Sequence, residues 1–199
     1  MWALVESGSV SKIYTRPTQL TIGDTQYPSN IFMLWNSSEL EAIGIYAVAF
    51  DKTNLKNTEY YTNTDQSFNF ADSTVTASYG TATAKSLDDI LYTAQEETDG
   101  FGTEGELKSR GLKYLHKEKI NSEAGSILQP TDWMVIRAAE GGTAVPSFIT
   151  TKRAAVRTKA NAMCTQIDNA ANVDALAALY VYNDATPPVR PIGVLPTVD

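Results

Sequence analysis

The chain is short of the groups on which most enzyme chemistry rests. Its 199 residues include one cysteine, Cys164, and one histidine, His116. A single cysteine excludes an internal disulfide. Together the two counts leave no set of ligands for a zinc site and no cysteine or serine triad of the usual kind. His116 lies among Lys113, Lys117 and Lys119, a cationic setting that suits a solvated side chain better than a metal ligand. Cys164 falls beside the apolar face of a predicted helix and reads as a small, half-buried side chain with no histidine nearby in sequence to activate it. No glycine-rich phosphate loop follows a strand, and no cofactor is implied. No apolar run approaches the ~20 residues that span a bilayer, so no membrane partner is expected. Glu6 follows the start too closely for a signal peptide, and folding in the cytoplasm is the expectation. Positive charge is also scarce. Sixteen bases against 23 acids give a net charge of −7, which repels phosphate and argues against nucleic acid as a partner.

What is present is ordinary in bulk, with 43% hydrophobic and 20% charged residues. The pattern predicts an α+β fold. A small N-terminal antiparallel β region with a short helix occupies residues 1–80. A mainly helical region follows over 81–182, and a proline-rich extended tail over 183–199. In the first region, WALVE and SVSKIY read as strands joined through Ser7-Gly8, with Leu4 and Ile13 inward. Ser38 and Glu41 have capping-box spacing and start a short helix that Gly44 ends. Residues 45–50 are β-branched and aromatic enough for a strand. Residues 66–70 and 74–79 form a hairpin around Ala71-Asp72-Ser73. Tyr60, Tyr61 and Tyr79 read as surface aromatics used either in an interface or in local packing.

Residues 80–86 are small and polar and mark the domain boundary. A helix is expected from Ser86, with Asp88-Asp89 in its first turn and Leu87, Ile90, Leu91 and Ala94 on its apolar side. After a glycine-rich loop, residues 104–127 read as a long helix with few apolar residues, among them Leu107, Leu112, Leu115 and Ile120. A helix this polar is hard to hold against its own domain, so it is either held along a narrow seam by copies of the chain or another protein, or is a solvated surface helix with many ion pairs. Asp88-Asp89 and Glu96-Glu97 are adjacent rather than facing pairs and read as solvated surface. A carboxylate-based polysaccharide hydrolase is kept as a remote alternative.

Residues 128–159 are the most informative stretch. Thr131 is placed to cap a short helix that starts at Asp132, and Trp133, Ile136 and Arg137 follow at helical spacing. Gly141-Gly142 stops that helix. Pro146 suits the first turn of the next, and Ile149, Val156, Ala160, Met163 and Ile167 define one apolar face. Lys152, Arg153, Arg157 and Lys159 make a basic side, either a patch fitted to an acidic protein partner or a plain solvated face. Asn172 caps a last helix bearing Val173, Leu176, Ala177 and Tyr180. In the tail, Val189, Ile192, Val194 and Leu195 are too many apolar residues for a solvated end. Either the body of the chain or a neighbouring subunit orders them.

Asp132-Trp133 followed by Arg153-Ala154-Ala155-Val156-Arg157 resembles the C-terminal segment of bacteriophage tail-fibre assembly proteins. This chain has Lys152 where an aromatic residue often precedes the R-A-A run. The helix–glycine–strand arrangement of residues 38–50 is a weaker piece of the same resemblance, to tail-associated proteins of marine phages. The resemblance implies a non-enzymatic tail protein, either a fibre assembly factor that stays bound or a fibre-to-tail connector. The alternative is a permanent subunit of the tail or baseplate. The implied partners are a tail-fibre or baseplate protein, and further copies of the chain through the long polar helix. The implied location is the host cytoplasm during assembly and then the virion tail. The expected partner-binding residues are Trp133, Arg137, Arg153 and Arg157, with Leu112 and Leu115 of the long helix and Ile192 and Leu195 of the tail.

Overall fold

The computed structural model describes residues 1–198. The fold is mixed α+β and divides into two compact units, Met1–Thr83 and Ala84–Asp199.

In the first unit, β1 (Trp2–Glu6) and β2 (Ser9–Tyr14) form a hairpin whose turn places Ser7 and Gly8 at φ 51° and 77°. Two positive φ values in a two-residue turn match the right-handed twist of the flanking strands. A second hairpin, β3 (Leu20–Ile22) and β4 (Thr25–Tyr27), turns at Gly23-Asp24. Two short helices follow, α1 (Ile31–Leu34) and α2 (Ser37–Ala42), then β5 (Ile45–Phe50) and the short β6 (Tyr61–Thr62). The hairpin β7 (Gln66–Ala71) and β8 (Thr74–Tyr79) comes next, and a short β9 (Thr83–Ala84) ends the unit. The main sheet runs β2-β1-β5-β8-β7 and is antiparallel except between β5 and β8. Its two edge strands, β2 and β7, come into contact, so the sheet curls round on itself.

Both faces of that sheet are apolar. One carries Leu4, Tyr14 and Ile45 against Phe32, Leu40 and Leu20, with Trp2 stacked 4.8 Å from Phe32. The other carries Ala3, Val48, Val75 and Ala77, packed with Ile13, Phe68 and Phe70. Leu4 and Ile13 therefore face opposite cores, since neighbouring residues of a strand alternate sides. The capping box also differs from the expected one. Asn36 Oδ1 accepts from Glu39 N (3.0 Å) and Glu39 Oε2 accepts from Asn36 N (2.8 Å), so the helix starts one residue before Ser38. Tyr60 is a core residue, 5% exposed, not a surface aromatic.

In the second unit the sequence expectation fails between residues 86 and 111. Ile90-Leu91 is a strand, β10, paired antiparallel with β11 (Leu107–Ser109). The only helix between them is α3 (Ala94–Thr98), held by a Thr93–Glu96 capping box. Asp89, expected to sit at a helix start, instead accepts from the Gly111 N–H (2.8 Å) and from Arg110 (2.6 Å). That pairing spans 22 positions and holds the segment open as a loop-and-ribbon lobe.

The long helix, α4, runs over Leu112–Leu128, with Gly111 as its N-cap. A 3-10 turn (Gln129–Thr131) leads to α5 (Asp132–Ala139), then to α6 (Ser147–Asp168) and α7 (Val173–Ala178). Leu112, His116, Ile120 and Ala124 of α4 are buried at intervals of four. On α6, Ile149, Arg153, Val156, Ala160, Met163 and Ile167 are buried at alternating steps of four and three. That is the spacing of a seam between two helices, and α4 packs along α6. The polar helix thus has a covering partner inside its own unit. His116 is buried on that seam, with its ring 4.8 Å from Tyr180, because it follows Leu112 by one turn while its lysine neighbours point elsewhere. The tail is likewise ordered by its own unit. Ile192 donates its N–H to Leu179 O (3.0 Å), and Ile192, Leu195 and Val198 are buried. No helix among the described residues is long and apolar enough to cross a membrane.

Gly44 is the position where the first unit depends on a missing side chain. Its φ is +82°, and a Cβ there would lie 2.9 Å from Val5 O, to whose residue Gly44 O is already hydrogen-bonded. Gly44→Ala is expected to destabilise the protein by at least ~1 kcal/mol, from backbone strain plus the clash. Denaturant titration of the two proteins measures the difference.

Candidate functional site

The site is built where α4, α5 and α6 meet. Arg153 lies on the apolar stripe of α6 and is only 8% exposed. A buried guanidinium must find acceptors, and this one finds three. It donates to Leu128 O at the end of α4 (2.7 Å), to Thr131 Oγ1, and to Asp132 Oδ1 in the first turn of α5 (2.7 Å). Thr131 spends its hydroxyl on Leu128 O (2.9 Å) and does not cap α5 with its side chain. The Asp132–Arg153 pair links positions 21 apart, joining the D-W and R-A-A-V-R halves of the sequence pattern.

Fixed at its start in this way, α5 buries none of its eight residues. Trp133 and Ile136 are 53% and 59% exposed, and Val135 is also exposed. Arg137 lies over the Trp133 ring at 4.9 Å, a cation–π contact that restrains the indole. Phe148, in the first turn of α6, is 60% exposed. Val135, Val145, Thr150, Arg153 and Arg157 line a cavity of about 260 Å³ beside α5. The arrangement is a held ridge of large apolar side chains edged with arginine. Aromatic and arginine groups of this kind are the ones that dominate the energetics of interfaces.

The expected site residues divide accordingly. Trp133, Arg137 and Arg157 fall on or beside the ridge, and Arg157 is exposed. Arg153 is brought to the same place but turned inward, as the clamp that positions α5 and not as a contact for a partner. Leu112 is buried in the α4–α6 seam, whereas Leu115 is half exposed. Ile192 and Leu195 are core residues of their own unit. The sequence reading did not single out Val135, Ile136 and Phe148 as exposed. The available signal was DWMVIRAA itself, which is apolar around more of its circumference than one buried face requires.

A second concavity, of about 450 Å³, lies in the C-terminal loop between Ala178, Val181, Tyr182, Val189, Arg190 and Pro191. Arg190 Nε donates to Gly193 O (3.0 Å), and its guanidinium sits 5.7 Å from the Tyr182 ring and 5.9 Å from that of Tyr180. Neither cavity brings a nucleophile and a base together. Burial pushes the Cys164 thiol up, away from the reactive thiolate. Among the described residues, no three His, Cys, Asp or Glu side chains are grouped to hold a metal ion.

The lobe of residues 84–110 is held by different means. The two-stranded ribbon, the Thr93–Glu96 box and the ion pairs Glu96–Lys108 and Asp89–Arg110 order it. Hydrogen bonds from Gly111 N and Arg110 hold the Asp89 carboxyl below its usual range, and bonds from Lys108 and Thr93 do the same for Glu96.

No family model matches the chain, and no curated protein or solved structure is similar to it.

Two outcomes follow from this chemistry. Arg153→Met keeps the stem's volume but takes the buried partner from Asp132 and the donor from Thr131, while Leu128 O keeps the Thr131 hydroxyl. It is expected to cost about 2–3 kcal/mol, the low end for a broken pair because Asp132 is half exposed. Thermal and denaturant unfolding give the difference. For the lobe, both carboxylates have a folded pKa below the unfolded one, so the folded state binds fewer protons. Their contribution is present above the ordinary carboxylate pKa and is lost as pH falls through the depressed values. Protection of the Thr93 and Gly111 amides, taken relative to the intrinsic exchange rate at each pH, is therefore expected to fall on acidification below about pH 4, before that of α6.

Proposed function

We propose that the chain is a non-catalytic bacteriophage tail protein, associated with tail fibres, which works by presenting α5 as a fixed docking ridge. The reading makes it a fibre-to-tail connector, or an assembly factor that remains bound. The observation that carries it is an eight-residue helix with no buried side chain, pinned at its base by a buried arginine. Met134, Arg137 and Ala138 are only partly covered, so the helix has little packing of its own to hold it. Here a charged group is buried to hold it in place, and its large apolar side chains stay outside. The residues that carry the resemblance to tail-fibre assembly proteins are those that build this device, Asp132 and Trp133 on one side and Arg153 to Arg157 on the other.

A second reading, a permanent subunit of the tail or baseplate, is favoured by the lobe of residues 84–110. The lobe also leaves apolar side chains uncovered, among them Phe101 at 70% exposure. A subunit locked among neighbours would have two such surfaces rather than one.

Trp133→Ala combined with Ile136→Ser tests the ridge. Neither residue is buried, so unfolding is expected to be unchanged, while affinity for the phage's own fibre and baseplate proteins falls by about 2 kcal/mol or more, roughly thirtyfold. Surface plasmon resonance against each purified tail protein provides the measurement. Undiminished binding by the folded variant would reject the reading.

A further inference from the structure

We infer that the chain assembles head to tail with copies of itself, the lobe of residues 84–110 of one copy seating on the α5–α6 face of the next. The inference rests on the docking reading and names the occupant of the ridge.

The lobe has no core. Every residue from 84 to 110 is exposed or only partly covered, and Ile90, Leu91, Phe101 and Leu107 all remain open. Main-chain pairing and ion pairs order it, but nothing in the segment buries its apolar side chains. Its charge has one sign. Residues 84–110 hold seven acids and three bases, a net charge of −4. Asp88, Asp89 and Glu96 enter ion pairs with Lys113, Arg110 and Lys108. Glu97, Asp99, Glu104 and Glu106 stand outside those pairs.

The α5–α6 face is the complement. Residues 132–167 hold five bases and two acids, a net charge of +3. Arg153 is occupied internally by Asp132, which leaves Arg137, Lys152 and Arg157 on α5 and the first half of α6, whereas the Lys159 ammonium lies at Gly193 of the tail. Trp133, Val135, Ile136 and Phe148 supply an apolar surface to receive the open side chains of the lobe.

The two surfaces lie at opposite ends of α4. Asp89 ties the lobe to Gly111, the N-cap, and α5 begins just beyond the C-terminal end. A 17-residue helix puts those ends about 26 Å apart, so the lobe does not reach the ridge of its own chain. Pairing of like surfaces would set −4 against −4, or +3 against +3, and a reciprocal two-fold pair, each lobe on the other's ridge, would stop at a dimer; a wild type that stops there overturns the inference. Head-to-tail pairing sets unlike against unlike and repeats at every copy, producing a closed ring or an open filament.

Sedimentation velocity of the full chain over a range of concentration and salt is the test. The expected result is association beyond a dimer that weakens as salt rises. Glu97→Lys, Glu104→Lys and Glu106→Lys together take the lobe from −4 to +2, and Lys152→Glu with Arg157→Glu takes the helix face from +3 to −1. Each variant alone is expected to sediment as a monomer. Mixing the two restores association, because every contact in an alternating chain is again between opposite charges. Circular dichroism confirms that the variants fold. A wild-type chain that stays monomeric at its highest soluble concentration overturns the inference. So does association unaffected by either reversal, or a mixture that does not recover. If the wild type is monomeric while Trp133→Ala still weakens binding to a tail protein, the docking reading stands and the self-assembly falls.

Discussion

The second unit depends on one buried cation. Arg153 sits where the α6 stripe would otherwise carry an aliphatic side chain, and taking a guanidinium out of water is costly unless its donors are met. The acceptors that meet them are the carbonyl ending α4, the hydroxyl of the 3-10 turn and the carboxylate opening α5. Each belongs to a different piece of the chain, so satisfying one charge fixes three directions at once. An aliphatic residue at 153 would fill the stripe but leave Asp132 and the turn before α5 without their shared donor, so the charge contributes both stability and direction.

The same reasoning explains why α4 can be so polar. It needs only a seam of one buried residue per turn, because α6 supplies the facing stripe. Its remaining circumference is free to carry lysines and glutamates. The seam ends at Ala124 on α4, close to where Arg153 begins its work on the next turn. Apolar packing holds most of the helix pair, and hydrogen bonding to one side chain holds its far end. At the near end, Asp89 performs a comparable task for the lobe by accepting the N-cap N–H of α4 itself. Both ends of the long helix are therefore fastened by a charged side chain to something that projects from the unit.

The sequence made some of this legible and hid the rest for identifiable reasons. The hairpins β1–β2 and β7–β8 could be read because alternation and turn residues are local signals. The α6 stripe could be read because its period is intact over 22 residues. Residues 86–94 misled because Leu87, Ile90, Leu91 and Ala94 happen to fall at helical spacing, while the bond that decides their conformation runs from Asp89 to Gly111. No local window contains it. Arg153 was grouped with Lys152, Arg157 and Lys159 by charge, although it also sits four residues after Ile149 and three before Val156, on the buried face. His116 is the same case on α4, four residues from both Leu112 and Ile120. In each, position along the stripe was a better guide than residue type. For the tail, Ile192 and Leu195 carried the right message, that something covers them, but spacing in a proline-rich segment does not say what.

What remains outside is as informative as what is buried. A chain with a net charge of −7 could have spread its bases evenly; instead the segment from α5 to α6 is basic and the lobe is acidic. Large apolar residues follow the same partition, with one group on the lobe and another on the ridge. An isolated monomer would gain solubility by replacing Phe101, Trp133, Ile136 and Phe148 with polar residues, and would lose no core, since none of these is buried. The stabilising groups of the unit, Asp89 and Arg153, hold those exposed segments in fixed positions. The fold thus uses a few well-placed charges to hold apolar surfaces in fixed positions while leaving them uncovered.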